Sequence, residues 1–342
     1  TIMKKLLSVT LSLIMLLGLL AGCGNQAAND PSNDQASEYG EVAEFISIGA
    51  NPSGQTAYTW AAGIADLINK ANIGATATAE ETNGYPVNAN MLASGELEFG
   101  FVNNWILAQA YAATDSYSDI QAGKVTGVIS LAPTEMHVLT LAGSGVNSLA
   151  DLAGKRVGVG QPGGISLEIT TMMLECAGYQ EGDFERLEIN LANQCEYLRD
   201  GQLDVVIWIG SAALPAITEL CATKDVVFLD VDDAIIEKMQ EKCPVVEKCV
   251  IADGTYTDQT GDVKSFCVRN VLATSADVSN ETVYQVTKLI MENAETLGAV
   301  HKALATISPE TALLGLTKET PLHPGALRYY QEIGVPGLEI FE

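Results

Sequence analysis

Met91-Leu92-Ala93-Ser94-Gly95-Glu96-Leu97-Glu98 returns later in the chain as Tyr197-Leu198-Arg199-Asp200-Gly201-Gln202-Leu203-Asp204. In each stretch a helical pattern stops at a glycine able to take positive φ, a common way for helices to end. An acidic residue then precedes an apolar strand. Upstream, Pro52-Ser53-Gly54 is matched in the same order by Pro162-Gly163-Gly164. Two matched segments in the same order predict two similar α/β lobes.

The flanking sequence follows the same grammar. Apolar runs at 43–48, 76–80 and 97–102 read as strands, and the segments 56–71, 85–94 and 104–113 as helices. In the first helix Trp60, Ile64, Leu67 and Ile68 recur on one face. After residue 150 the pattern resumes with a strand at 157–159, a loop at 160–164 and a helix at 166–177. Alternating strands and helices imply an α/β fold built on largely parallel sheets. The expected division is 44–135 plus 268–342 for lobe I and 136–267 for lobe II. Crossing segments are expected near Thr134 to Val138 and Phe266 to Leu272.

Lys4 and Lys5 precede an apolar run from Leu6 to Leu20 and the sequence Ala21-Gly22-Cys23. This is the pattern of a secretory signal peptide (1–22), with a run too short for a stable membrane span. Leu20-Ala21-Gly22-Cys23 resembles the bacterial lipobox, which makes Cys23 the expected lipidated residue and places the mature protein outside the cytoplasm on a lipid anchor. Residues 23–43 then read as the lipidated cysteine and a polar tether, too poor in apolar groups to offset its ordering entropy.

The chain has 342 residues, 47% of them hydrophobic, with 43 acidic against 18 basic residues and a formal net charge of -25. Neutralising nucleic-acid phosphates needs clustered Lys and Arg, so this charge argues against a nucleic-acid partner. The cysteines beyond Cys23 form no CxxC pair and no Cys/His cluster of zinc spacing. Cys243 and Cys249 could close a short loop; buried free thiols suit them equally. The three histidines, His137, His301 and His323, accompany no catalytic motif, and neither a GxSxG elbow nor a P-loop is present. Binding, without cofactor or catalysis, is the reading these residues favour, in a protein expected to act as a monomer.

Ligands in open α/β sheets bind outside the carboxyl ends of the strands, where helix N-termini offer unpaired N–H groups. The loops at those positions supply the candidate site. Ser53, Gln55, Tyr58, Asn83, Tyr85, Asn103, Asn104 and Trp105 come from one lobe; Gln161, Gly163, Gly164, Ile165 and Ser166 come from the other. Trp208 belongs either to the cleft floor or to the second lobe's core.

Several stretches together resemble the TAXI family, the substrate-binding subunits of TRAP (tripartite ATP-independent periplasmic) transporters. They are Thr82-Asn83-Gly84-Tyr85, Ser94 to Gly100, Ser148-Leu149-Ala150-Asp151-Leu152-Ala153-Gly154-Lys155-Arg156-Val157, and the closing Pro321-Leu322-His323-Pro324-Gly325-Ala326-Leu327-Arg328-Tyr329-Tyr330-Gln331-Glu332. The resemblance implies a two-lobed periplasmic-binding fold (type II-like) with a cleft between the lobes, a small carboxylate as ligand, and a membrane permease driven by an ion gradient. The loops of this chain place Tyr85, Trp105 and Ile165 where the family has smaller residues and add no Lys or Arg, so a mono-carboxylate or a larger neutral solute fits as well. The alternatives are a binding lipoprotein of an ATP-driven importer and an extracytoplasmic enzyme or sensor domain on the same fold.

Overall fold

The computed structural model describes residues 39–341 apart from Gly54 and Asp258. Cys23 and the signal segment lie outside the described residues. The first half runs β1 (Phe45–Gly49), α1 (Thr56–Ala71), β2 (Thr76–Glu80), α2 (Tyr85–Ser94), β3 (Phe99–Asn103), α3 (Asn104–Ala112) and the long β4 (Val125–Leu141). Next come β5 (Arg156–Gly158), α4 (Ile165–Cys176), β6 (Glu185–Leu187), α5 (Leu191–Arg199), β7 (Val205–Gly210), α6 (Pro215–Cys221), β8 (Val226–Phe228), α7 (Asp233–Lys242) and β9 (Glu247–Ile251). The chain returns through the long β10 (Val263–Ser275) and closes with α8 (Asn280–Glu292), α9 (Ala294–Val300) and α10 (Pro324–Ile333). The fold is mixed α/β, a central sheet flanked by helices.

Local sequence accounts for the individual elements. Ala57, Trp60, Ala61, Ile64, Ala65 and Ile68 form the buried stripe of α1, and Asn72 ends the helix at φ 52. Gly95 ends α2 at φ 77, its N–H reaching back to the carbonyls of Met91 and Leu92. Gly201 takes φ 70 at the matching turn after α5.

Strands β2, β1 and β3 lie side by side and parallel, as do β6, β5 and β7. Each half therefore holds the parallel triplet that the alternating grammar predicts. What joins the triplets is antiparallel: β10 pairs β3 on one side and β4 on the other, and β4 pairs β7. One ten-stranded sheet results, with β8 on β4 and β9 on β10.

The apolar side chains separate into clusters along β4 and β10. Leu131 and Val271 belong to a cluster with the first triplet and the C-terminal helices, while Met136 and Val268 belong to one with β5, β7 and α4. The β4–β10 register slips between Arg269 and Val271, where one cluster gives way to the other. A third cluster around Leu198, Val206, Ile217 and Tyr256 packs the far end of the second half.

The closing motif is docked on the first half. His323 donates its backbone N–H to the carbonyl of Gly127 at 2.8 Å. Its Nδ1 accepts the N–H of Gly325 and so caps α10, with Pro324 in the first turn where its missing N–H is harmless. Gly325 is demanded by close approach: a Cβ there would sit 2.3 Å from the carbonyl oxygen of Asn280. Tyr330 is fully buried and its hydroxyl donates to the Val128 carbonyl at 2.8 Å.

All six cysteines of the described residues are free thiols. Cys249 lies against Cys267 of the neighbouring strand rather than closing a loop with Cys243, and that contact together with burial pushes its pKa up. Burial also raises Cys243, to about 11. For Cys243 and Cys249 these shifts oppose the thiolate that a nucleophile needs.

His137 is wholly buried, its Nδ1 3.0 Å from the Glu135 carbonyl and its Nε2 3.0 Å from the Tyr256 hydroxyl. Burial lowers its pKa to about 4, and burial does the same for His323. The fold thus holds both rings neutral, whereas the unfolded chain protonates them below about pH 6.5. Their contribution to stability is whole above that pH and is lost as pH falls towards 4. The melting temperature should decline across that window. His323→Asn, which keeps an N-capping side chain and removes the titration, should flatten the decline in a calorimetric pH series; an unchanged slope would count against this origin.

Candidate ligand site

The carboxyl ends of β1, β2 and β3 open on one edge of the first half, and buried polar clamps hold their loops. Asn88 of α2 donates from its Nδ2 to the carbonyls of Ala50 at 2.9 Å and Phe101 at 2.8 Å. The Thr82 hydroxyl lies within bonding distance of the Ala50 carbonyl and of Asn88 Oδ1, and it accepts the N–H of Gly84. A Cβ on Gly49 would lie 2.9 Å from Asn88 Oδ1, so the glycine lets the amide reach the strand end. Tyr85 donates its hydroxyl to Asn270 Oδ1 at 2.8 Å, and Asn270 Nδ2 donates to the Ala132 carbonyl. The predicted loop is thereby tied to the crossing point of β4 and β10.

In the second half Gln194 of α5 occupies the place of Asn88. Each stands seven positions before its turn glycine, and a Cβ on Gly158 would lie 2.3 Å from Gln194 Oε1. The repeated acidic residues match as well. Glu98 Oε2 accepts the Ser47 backbone N–H, and Asp204 Oδ2 accepts that of Arg156, both at 2.8 Å. Gly160, at φ 104, packs against α4 so closely that a Cβ would stand 2.5 Å from the Leu167 nitrogen. This contact aims the start of α4 back at the first half.

Between the halves lies a cavity of about 500 Å3. Pro86, Ile106, Ser116 and Tyr117 wall it from the first half; Gly163, Gly164, Ile165, Leu167, Glu168 and Thr171 wall it from α4 and the loop before it. Its size is that of a small-ligand site, mostly apolar with few polar groups. A larger recess, about 720 Å3, opens beside α4 towards β6 and includes Tyr179, Phe184 and Arg186, but no residue of the first half lines it.

The predicted residues are distributed unevenly. Gly163, Gly164 and Ile165 line the cavity. Ser166, buried behind them, sits 3.4 Å from the Ile209 carbonyl and joins α4 to the end of β7. Ser53, Gln55, Asn83 and Gln161 are exposed, and Tyr58 packs in part on the first core. Asn103 caps α3 by accepting the Ile106 N–H at 2.8 Å. Asn104 has no exposed surface. Its Nδ2 donates to the carbonyls of Gly315 at 2.7 Å and Val245 at 3.0 Å, and its Oδ1 accepts the Arg269 N–H. Trp105 inserts into the second half's core and donates Nε1 to Glu168 Oε1 at 2.7 Å. Trp208 is half-buried against the third cluster. Glu168, Gln109, Ile106 and Tyr117 were not read from the sequence. The accessible clue was Glu168 itself, an acid in the first turn of the helix that follows Gly163-Gly164.

The pattern of the NMT1-like family matches residues 48–334. The chain belongs to the NMT1-like family. This member is similar in fold to XAC2383 from Xanthomonas citri solved with ATP, at TM-score 0.51 and 12% identity over 88% of this chain and 100% of that one. The same protein solved with chloride gives 0.50 and 12% over 87% and 99%. The periplasmic aliphatic sulphonate-binding protein SsuA from Escherichia coli aligns at TM-score 0.45 and 17% identity over 85% and 83%.

In this NMT1-like chain Asn104→Ala should act first on stability. It orphans buried backbone groups in three segments, and each such loss costs about 1 to 3 kcal/mol. A melting temperature lowered by several degrees is the expected result; a value equal to wild type would show that the amide links carry no weight.

Proposed function

We propose that the chain is an extracytoplasmic solute-binding protein that captures a small organic molecule between two lobes and passes it to a membrane transporter. The observation carrying this reading is the 500 Å3 cavity between the helices α2 and α3 of the first half and α4 with its preceding Gly163-Gly164 loop from the second. The lobes are 44–135 plus 268–342 and 136–267, hinged where Asn270 ties β10 to Ala132 of β4. Trp105 and Glu168 would part when the lobes open, so solute entry and this hydrogen bond are linked. The sequence resemblance to TAXI subunits supports an ion-gradient-driven TRAP permease as the receiving partner, and the Leu20 to Cys23 motif supports a lipid anchor on the outer membrane face.

Protein purified from its own host should carry a small organic solute visible by native mass spectrometry and released on unfolding. Adding that solute back to stripped protein should shrink the radius of gyration in small-angle scattering. No bound solute, together with an unchanged profile for every solute tried, would sink the reading. In reconstituted uptake with the neighbouring permease, an ion gradient should suffice; a requirement for ATP would assign the protein to an ATP-driven importer. Cys23→Ser should move the protein from the membrane fraction to the soluble one, and retention on the membrane would remove the anchor.

A further inference from the structure

Among the residues lining the cavity there is no Lys, Arg or His, and one carboxylate, Glu168. Its position is prepared by neighbours. Trp105 donates Nε1 to Glu168 Oε1, and Gln109 donates Nε2 to the same oxygen. Both donors come from α3 on the opposite wall, so one oxygen is held and the other, Oε2, takes part in no hydrogen bond or ion pair within the described residues. A carboxylate oxygen has acceptor capacity for a further donor.

Resting on the solute-binding reading above, we propose that the cavity selects an organic cation, a solute whose ammonium or guanidinium nitrogen donates to Glu168 Oε2 while its carbon body lies against Ile106, Ile165 and Leu167. A free helix N-terminus would ordinarily attract an anion. Here α4 follows an N-cap glycine, Gly164, that offers no side-chain cap, and Glu168 in its first turn already supplies the negative charge that this helix end favours. An anion placed in the cavity would meet that charge, and the nearest guanidinium, Arg186, which donates to the Thr171 hydroxyl from outside the lining, is already paired with Glu188 at 2.9 Å. The field extends beyond the lining. Tyr117 is raised chiefly by burial and further by the Glu168 charge, and Cys243, raised to about 11 chiefly by burial, also feels Glu168, Glu319 and Asp115. The carboxylate implied by the family resemblance is therefore the solute class that the cavity disfavours.

The test is calorimetric titration of the full chain with 1,4-diaminobutane, choline and succinate. The diamine or choline should bind and succinate should not. Glu168→Gln should weaken cation binding roughly ten- to hundredfold, as expected for loss of a charged hydrogen-bond partner, while the melting temperature stays near wild type. Should Glu168→Gln fold poorly, Ser116→Lys places a cation on the exposed rim without touching a buried group, and it should weaken cation binding and admit succinate. Succinate binding to wild type, displaced by the co-purified solute, would overturn the charge assignment and leave the solute-binding reading standing. Cation affinity unchanged in both variants would also overturn it. A protein that binds neither these compounds nor any co-purified solute would lose both readings.

Discussion

The antiparallel pairing of Val125–Leu141 with Val263–Ser275 supports every other strand of the sheet. β3 and β9 pair with β10, and β7 and β8 pair with β4, so neither parallel triplet could keep its register if this pair separated. Two strands are also a narrow connection. Where Arg269 to Val271 slips register against β4, Asn270 adds polar ties to Ala132, Thr134 and Tyr85. Hydrogen bonds can rotate and exchange more readily than a packed core can deform, which suits a hinge.

Each half sets a side-chain amide against the end of a strand, with different partners: Asn88 donates to the carbonyls of Ala50 and Phe101, Gln194 to that of Ile189. A parallel strand must end beside a helix N-terminus without leaving its last carbonyls unpaired, since buried backbone groups are costly to orphan. In both halves a glycine at the strand end admits a buried side-chain amide, Asn88 against Gly49 and Gln194 against Gly158. In both halves an acidic side chain, Glu98 or Asp204, accepts the N–H of a residue in the adjacent strand. These features fix the strand ends from which α2, α3 and α4, the helices that wall the cavity, depart.

The polar groups near the cavity divide into those already satisfied by the fold and those left available. Asn103, Asn104 and Asn270 belong to the first kind, for their amides cap a helix or bridge backbone segments. Glu168 belongs to the second, because its two donors meet on one oxygen. A net charge of -25 over the chain is a weak guide to this local balance, since screening confines surface charges to about 8 to 10 Å. What a solute meets is set by the side chains within bonding reach.

The sequence by itself determined the element types and most of their bounds. Helices at 56–71 and 85–94 and the strand at 76–80 coincide with α1, α2 and β2, because periodic apolar spacing and glycine stops act within one turn or one strand. The acidic residue before each repeated strand was legible too, although its acceptor role across the sheet was not. Tertiary structure alone decided the antiparallel joining of the two triplets, the burial of Asn104 between Val245 and Gly315, and the meeting of Trp105 with Glu168. A side-chain amide or indole has no periodicity that announces its partner. Whether Asn104 faces a solute or a carbonyl more than a hundred residues away depends on how the helices pack once the sheet is formed, and no local pattern in the chain carries that information.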